Sequence, residues 1–145
     1  MKRKSMGGSI SLNKINFEDM QTIIQNKDAI IISTLSDHRQ NCLLVGTLNA
    51  SEEVSILNEI ITNGGSTHKN IVVYGENCCD DSIAAKCSQL TNLGFTNVYV
   101  YMGGLFEWLL LQDIYGHDLF PTTYPENDLL KFKGRKKYGI KLIEE

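Results

Sequence analysis

Apolar positions along this chain recur with two different periods, and the period switches at short polar breaks. Asn16 precedes a stretch in which Phe17, Met20, Ile23 and Ile24 fall three or four residues apart, the spacing of one helical face. An asparagine there can accept from the unpaired N–H groups of the first turn. Residues 29–35 (Ala-Ile-Ile-Ile-Ser-Thr-Leu) form an apolar, β-branched run, which predicts a buried strand. Residues 43–48 predict a short extended piece. Ser51, Glu52 and Glu53 then open a second helix with Val54, Leu57 and Ile61 on one face and Gly64 as its stop. Residues 71–74 (Ile-Val-Val-Tyr) predict a second buried strand. A polar loop, residues 75–81, leads into a third helix with Ile83, Cys87 and Leu90 on one stripe and Gly94 at its end. Residues 97–101 predict a third strand, and Gly103-Gly104 turns the chain into a short apolar helix through Trp108 and Leu111.

Strands alternating with helices across short connections imply an α/β fold. A central, mostly parallel sheet of four or five strands should carry helices on both faces. In such sheets a ligand crevice lies beyond the carboxyl ends of the strands, so the loop after Tyr74 is where chemistry is expected. N–H groups there converge on the start of the third helix, whose dipole favours an anion or a thiolate. Pro121 and Pro125 mark the edge of the domain. The organisation read from the sequence is a basic flexible segment over residues 1–13, one domain over 14–123 and a basic extension over 124–145.

Composition narrows the class. With 145 residues, 42% apolar and 21% charged, the chain has enough apolar side chains for one core, which excludes a disordered or collagen-like chain. No apolar run approaches the roughly 20 residues of a membrane-spanning helix, and no secretory signal follows Lys2, Arg3 and Lys4. A reducing compartment such as the cytoplasm is therefore expected, with Cys42, Cys78, Cys79 and Cys87 as free thiols. No Cys-x-x-Cys pair or other ligand spacing marks a metal site, and no cofactor is expected. The net charge of −3 conceals an asymmetry: residues 1–4 and 126–145 sum to +5, and the rest to −8. Lys131, Lys133, Arg135, Lys136 and Lys137, interleaved with Phe132 and Tyr138, are candidates for gripping a polyanion or for folding back on the acidic domain.

The order Ile71-Val-Val-Tyr74, loop, Leu90-x-x-x-Gly94-Phe95, Asn97-Val-Tyr99 and Gly103-Gly104-x-x-x-Trp108 resembles the rhodanese-like domains. Gly46-Thr-Leu-Asn49 is similar to a Gly-Ala-x-Asn element of that family. The resemblance runs from about Ile15 to Thr123 and implies a three-layer α/β domain. It also implies sulfur transfer through a cysteine placed first in the loop after the strand, held as a persulfide over backbone amides and usually helped by a loop arginine.

This chain departs from that pattern at the reacting position. Gly75 stands where the cysteine is expected, and the loop looks about two residues longer than is common. Glu76, Asp80 and Asp81 surround it, and no lysine or arginine occurs between Asn70 and Ala85. Acids beside a thiol favour its neutral form and repel anionic donors. The family's strand Asp and Arg fall at Ile32 and Thr34, and its histidine at Leu43. Two expectations follow. The first is an inactive rhodanese-like domain whose loop, Gly75, Glu76, Asn77, Cys78, Cys79, Asp80 and Asp81, serves a protein partner as a binding or regulatory surface. The alternative is a thiosulfate sulfurtransferase, or a phosphatase of the same fold, with Cys78 or Cys79 as the nucleophile.

Overall fold

The computed structural model describes residues 12–64 and 68–139. The expected N-terminal basic residues and Lys141 lie outside the described residues. Four strands lie in the order β1–β4–β3–β2, all parallel: β1 (Asn13–Ile15), β2 (Ile30–Ser33), β3 (Ile71–Tyr74) and β4 (Val98–Tyr101). Four α-helices accompany them: α1 (Phe17–Asn26), α2 (Glu53–Thr62), α3 (Ser82–Asn92) and α4 (Gly104–Tyr115). Successive strand side chains point to opposite faces, and the core divides accordingly. Ile31, Val72, Tyr74 and Tyr101 pack with Met20 of α1 and Leu105, Trp108 and Leu109 of α4. Ile32, Ile71, Val73 and Val100 pack with Leu57 of α2 and Ile83, Cys87 and Leu90 of α3. β3 lies between two strands and two helical layers, so all four of its residues are buried.

Local sequence sets the element ends. Asn16 caps α1 reciprocally: its Oδ1 accepts from the Asp19 amide at 2.9 Å, and Asp19 Oδ2 accepts from the Asn16 amide at 3.1 Å. Such a capping box stabilises a helix by about 1 kcal/mol. Thr34 and Leu35, which the apolar run placed in the strand, follow β2 rather than extend it.

Three features differ from the sequence expectation. Residues 43–48 form turns with isolated bridges, Leu44 to Thr122 and Thr47 to Ile31, rather than a strand. The Thr47 amide closes a turn on the Leu44 carbonyl at 3.1 Å, and the buried Tyr74 hydroxyl accepts from the Leu44 amide at 3.1 Å. Val54 is 66% exposed; α2 is preceded by a 3₁₀ turn (Ala50–Glu52), and its packed side is carried by Leu57, Ile60 and Ile61. β1 is a three-residue strand that hydrophobicity does not announce, because two of its residues are exposed.

Beyond Thr123 the chain continues against the core. A 3₁₀ turn, Leu129–Phe132, buries the Phe132 ring in the cluster that holds Trp108 and Phe120. Lys131 is tied to Glu126 at 3.4 Å.

Candidate functional site

The chain leaves β3 at Gly75, buried at the carboxyl edge of the sheet, and residues 75–81 bridge to α3. The first turn of α4 fixes this loop from the side. The first amides of any helix lack intrahelical partners, and here Leu105 and Phe106 donate theirs to the carbonyls of Gly75 and Glu76 at 3.0 and 2.9 Å. So close an approach of two backbones requires Gly104. Its φ is +69°, and a Cβ there would lie 2.7 Å from the Gly75 carbonyl oxygen and 2.9 Å from the Asn77 nitrogen.

Inside the loop the group that collects donors is a carboxylate. Asp80 Oδ2 accepts from the Glu76 amide at 3.0 Å and from the Thr34 hydroxyl at 3.3 Å. Its Oδ1 accepts from the Ser82 amide at 3.0 Å and the Ser82 hydroxyl at 2.6 Å. Partial burial opposes ionisation of Asp80, but these four donors outweigh it and hold the carboxyl below its ordinary value. The carboxylate sits directly over Gly75. A Cβ at position 75 would collide with Asp80 Oδ2 and lie 2.9 Å from both Asp80 Cγ and Thr34 Oγ1.

Of the other loop side chains, only that of Asn77 is buried. Glu76 pairs with Arg39 at 3.2 Å, and the Arg39 guanidinium stands 5.6 Å from the centre of the Phe132 ring. Asn77 is buried: its Nδ2 donates to the Phe132 carbonyl at 2.9 Å and its Oδ1 accepts from the Cys79 amide at 2.9 Å. Cys78 and Cys79 are both exposed, with their sulfurs 3.8 Å apart. The Cys78 thiol is pushed up by its contact with Cys79, with lesser contributions from burial and from the charge of Cys79. Cys42 and Cys87 are buried, and burial raises both thiols. Asp81 is exposed at the start of α3.

A cleft of about 370 Å³ opens beside this loop, lined by Glu76, Asp80 and Asp81 together with Cys79, Lys133, Arg135 and Lys137. The acids that the sequence shows around the loop are joined here by cations remote in the chain, in line with the expectation that the basic segment can fold back on the acidic domain. Nothing local marks Arg39, which lies in a polar connection. Phe132, between Leu129 and the lysines, carried a visible apolar signal that its basic neighbours masked. Among the described residues, no group of three or more His, Cys, Asp or Glu side chains could hold a metal ion, and no helix is long and apolar enough to cross a membrane.

A parallel α/β sheet with a strand–loop–helix cradle at its carboxyl edge defines the class of domain. Residues 7–111 match the model of the family described as Rhodanese-like domain, and the chain belongs to that family. No curated protein matches the chain. Among solved structures, the Alr3790 protein from Anabaena sp. is 18% identical with a TM-score of 0.53, over 78% of this chain and 83% of that one. The BH2092 protein from Bacillus halodurans is 17% identical with a TM-score of 0.54, over 72% and 74%. Wild-type EanB is 18% identical with a TM-score of 0.51, over 68% of this chain but only 26% of EanB, so the chain spans about a quarter of that protein. One EanB structure is a complex with ergothioneine covalently linked to a cysteine persulfide. At these identities the shared property is the fold.

Proposed function

We propose that this rhodanese-like domain is a binding module that does not transfer sulfur. The observation that carries this reading is the Asp80 carboxylate over Gly75. Family chemistry needs a thiolate on the first loop residue and a set of donors free to receive its sulfur. Here position 75 has no side chain, and the donors from Glu76, Thr34 and Ser82 are already engaged by an internal anion. An added thiosulfate or phosphate would have to displace a carboxylate that four donors hold ionised. Cys78 and Cys79 do not substitute. They stand three and four residues past the first loop position, and contact with Cys79 pushes the Cys78 thiol up, which favours its neutral form, whereas the nucleophile must be a thiolate.

Incubation of the purified chain with thiosulfate and cyanide tests this directly. The expected result is thiocyanate at the protein-free rate and no gain of one sulfur atom by intact mass. Steady thiocyanate production that disappears in Cys78→Ser or Cys79→Ser overturns the reading in favour of a thiol enzyme.

The partner this module suits is an acidic one. Among the described residues, Lys133, Arg135, Lys136 and Lys137 are exposed and form no ion pair, so their charge is available to a ligand. Binding of a polyanion should weaken as salt rises. Heparin retention is the measurement: replacing Lys133, Arg135 and Lys137 by glutamine should lower the eluting salt concentration markedly. An unchanged elution point removes this surface from the proposal.

A further inference from the structure

Beyond the cradle, the loop carries a chemistry that the binding role leaves unused. Cys78 and Cys79 are adjacent in sequence, both exposed, and held with their sulfurs 3.8 Å apart. The backbone that presents them is fixed. The Cys79 amide is bonded to Asn77 Oδ1, and Asn77 is anchored through Nδ2 to the Phe132 carbonyl. The strap that follows Phe132 passes Cys79 at Gly134, where even an added Cβ would stand 3.8 Å from the sulfur, an ordinary contact. Both thiols are exposed on a supported turn, and a separation of 3.8 Å is within reach of a single atom bonded to two sulfurs.

The chemistry of the pair selects among thiophilic ligands. A structural zinc ion needs four ligands, and among the described residues no group of three or more His, Cys, Asp or Glu side chains is placed to hold a metal. Divalent metal ions also need thiolates, so binding must expel protons that the raised Cys78 thiol retains. A trivalent organoarsenical has neither requirement. Its third position is filled by its own carbon substituent, and it condenses with neutral thiols. We infer that Cys78 and Cys79 form a bidentate dithiol site for trivalent arsenicals. In the step, the As=O bond and two S–H bonds break and two As–S bonds form. Both protons leave with the oxygen as one water molecule, and arsenic stays trivalent, so no oxidant or reductant takes part. Because the ring closes on two preplaced sulfurs, the second bond is intramolecular and the adduct gains the effective concentration of a chelate.

Phenylarsine oxide is the probe, used on the full chain without reductant. Intact mass should show one adduct per chain, equal to the probe less one water. The adduct should survive a large excess of 2-mercaptoethanol and be released by a small excess of 2,3-dimercaptopropanol. Cys78→Ser and Cys79→Ser should each lose the monothiol-resistant adduct, with at least a tenfold weaker half-saturation. Cys87→Ser, with its thiol buried in the core, should match the parent. Retention of a resistant adduct in either loop variant, or its loss in the parent under monothiol, overturns the assignment. The outcome is independent of thiosulfate turnover, so failure here leaves the binding-module reading in place.

Discussion

Alanine at position 104 is expected to lower the unfolding free energy by about 2–5 kcal/mol, the sum of two separate costs. The first is conformational. With φ at +69° the residue lies in the left-handed region, where a Cβ costs roughly 1–2 kcal/mol. The second is steric. The Cβ would press at 2.7 Å on the Gly75 carbonyl and at 2.9 Å on the Asn77 amide, and overpacking of this kind costs about 1–3 kcal/mol. Both neighbours are backbone atoms, so no rotamer change relieves the contact. Retreat of the loop would lengthen the bonds from the Leu105 and Phe106 amides to the carbonyls of Gly75 and Glu76, now 3.0 and 2.9 Å. Urea denaturation of Gly104→Ala beside the parent measures the effect as a lower midpoint with unchanged slope. A loss of no more than about 1–2 kcal/mol contradicts the close approach, because the left-handed conformation alone costs that much.

The second large effect belongs to Gly75 and Asp80 together. Gly75→Ala should destabilise by about 1–3 kcal/mol, because its Cβ would be driven into the Asp80 carboxylate and the Thr34 hydroxyl. Asp80→Ala alone should cost about 1–2 kcal/mol, since the amides of Glu76 and Ser82 lose their acceptor. The double variant should cost less than the two losses added, by about 1–2 kcal/mol, because removing the carboxylate removes the collision. Simple additivity would show that the carboxylate does not sit over position 75.

The same carboxylate makes stability depend on pH. Its folded-state pKa is depressed, so its contribution is complete above the unfolded value, roughly pH 4, and is lost as pH falls through the folded one. Asp80→Asn should therefore be less stable than the parent at neutral pH, and the gap should close in acid. A gap that widens in acid would mean the sign of the shift is wrong. Urea midpoints at pH 7 and in steps below pH 4 measure it.

Much of the architecture was legible from local pattern. The runs at β2 and β3 were visible because a strand buried on both faces must be apolar at every position. The stripe Ile83, Cys87 and Leu90 and the stop at Gly94 gave α3 nearly whole. β1 escaped notice for the converse reason: its pairing with β4 is a backbone interaction that leaves little trace in side chains. At the site, the sequence showed a glycine after β3, an acidic loop and two adjacent cysteines, and it treated the three acids as equivalent. The fold separates them. Glu76 turns to Arg39, Asp81 faces solvent, and Asp80 turns inward to the donors.

What the sequence determined by itself is the family, the strand–helix alternation and the lack of a thiol at position 75, since each depends on residue types at short spacing. What tertiary structure alone decided is which group fills the loop and what surrounds it. Thr34, Arg39, Phe132 and the cationic strap reach the loop from positions 36 to 62 residues away in the chain. The physical reason is that an anion's partners are selected by distance in space, and short-range spacing carries no record of which distant side chain the closed sheet will bring alongside.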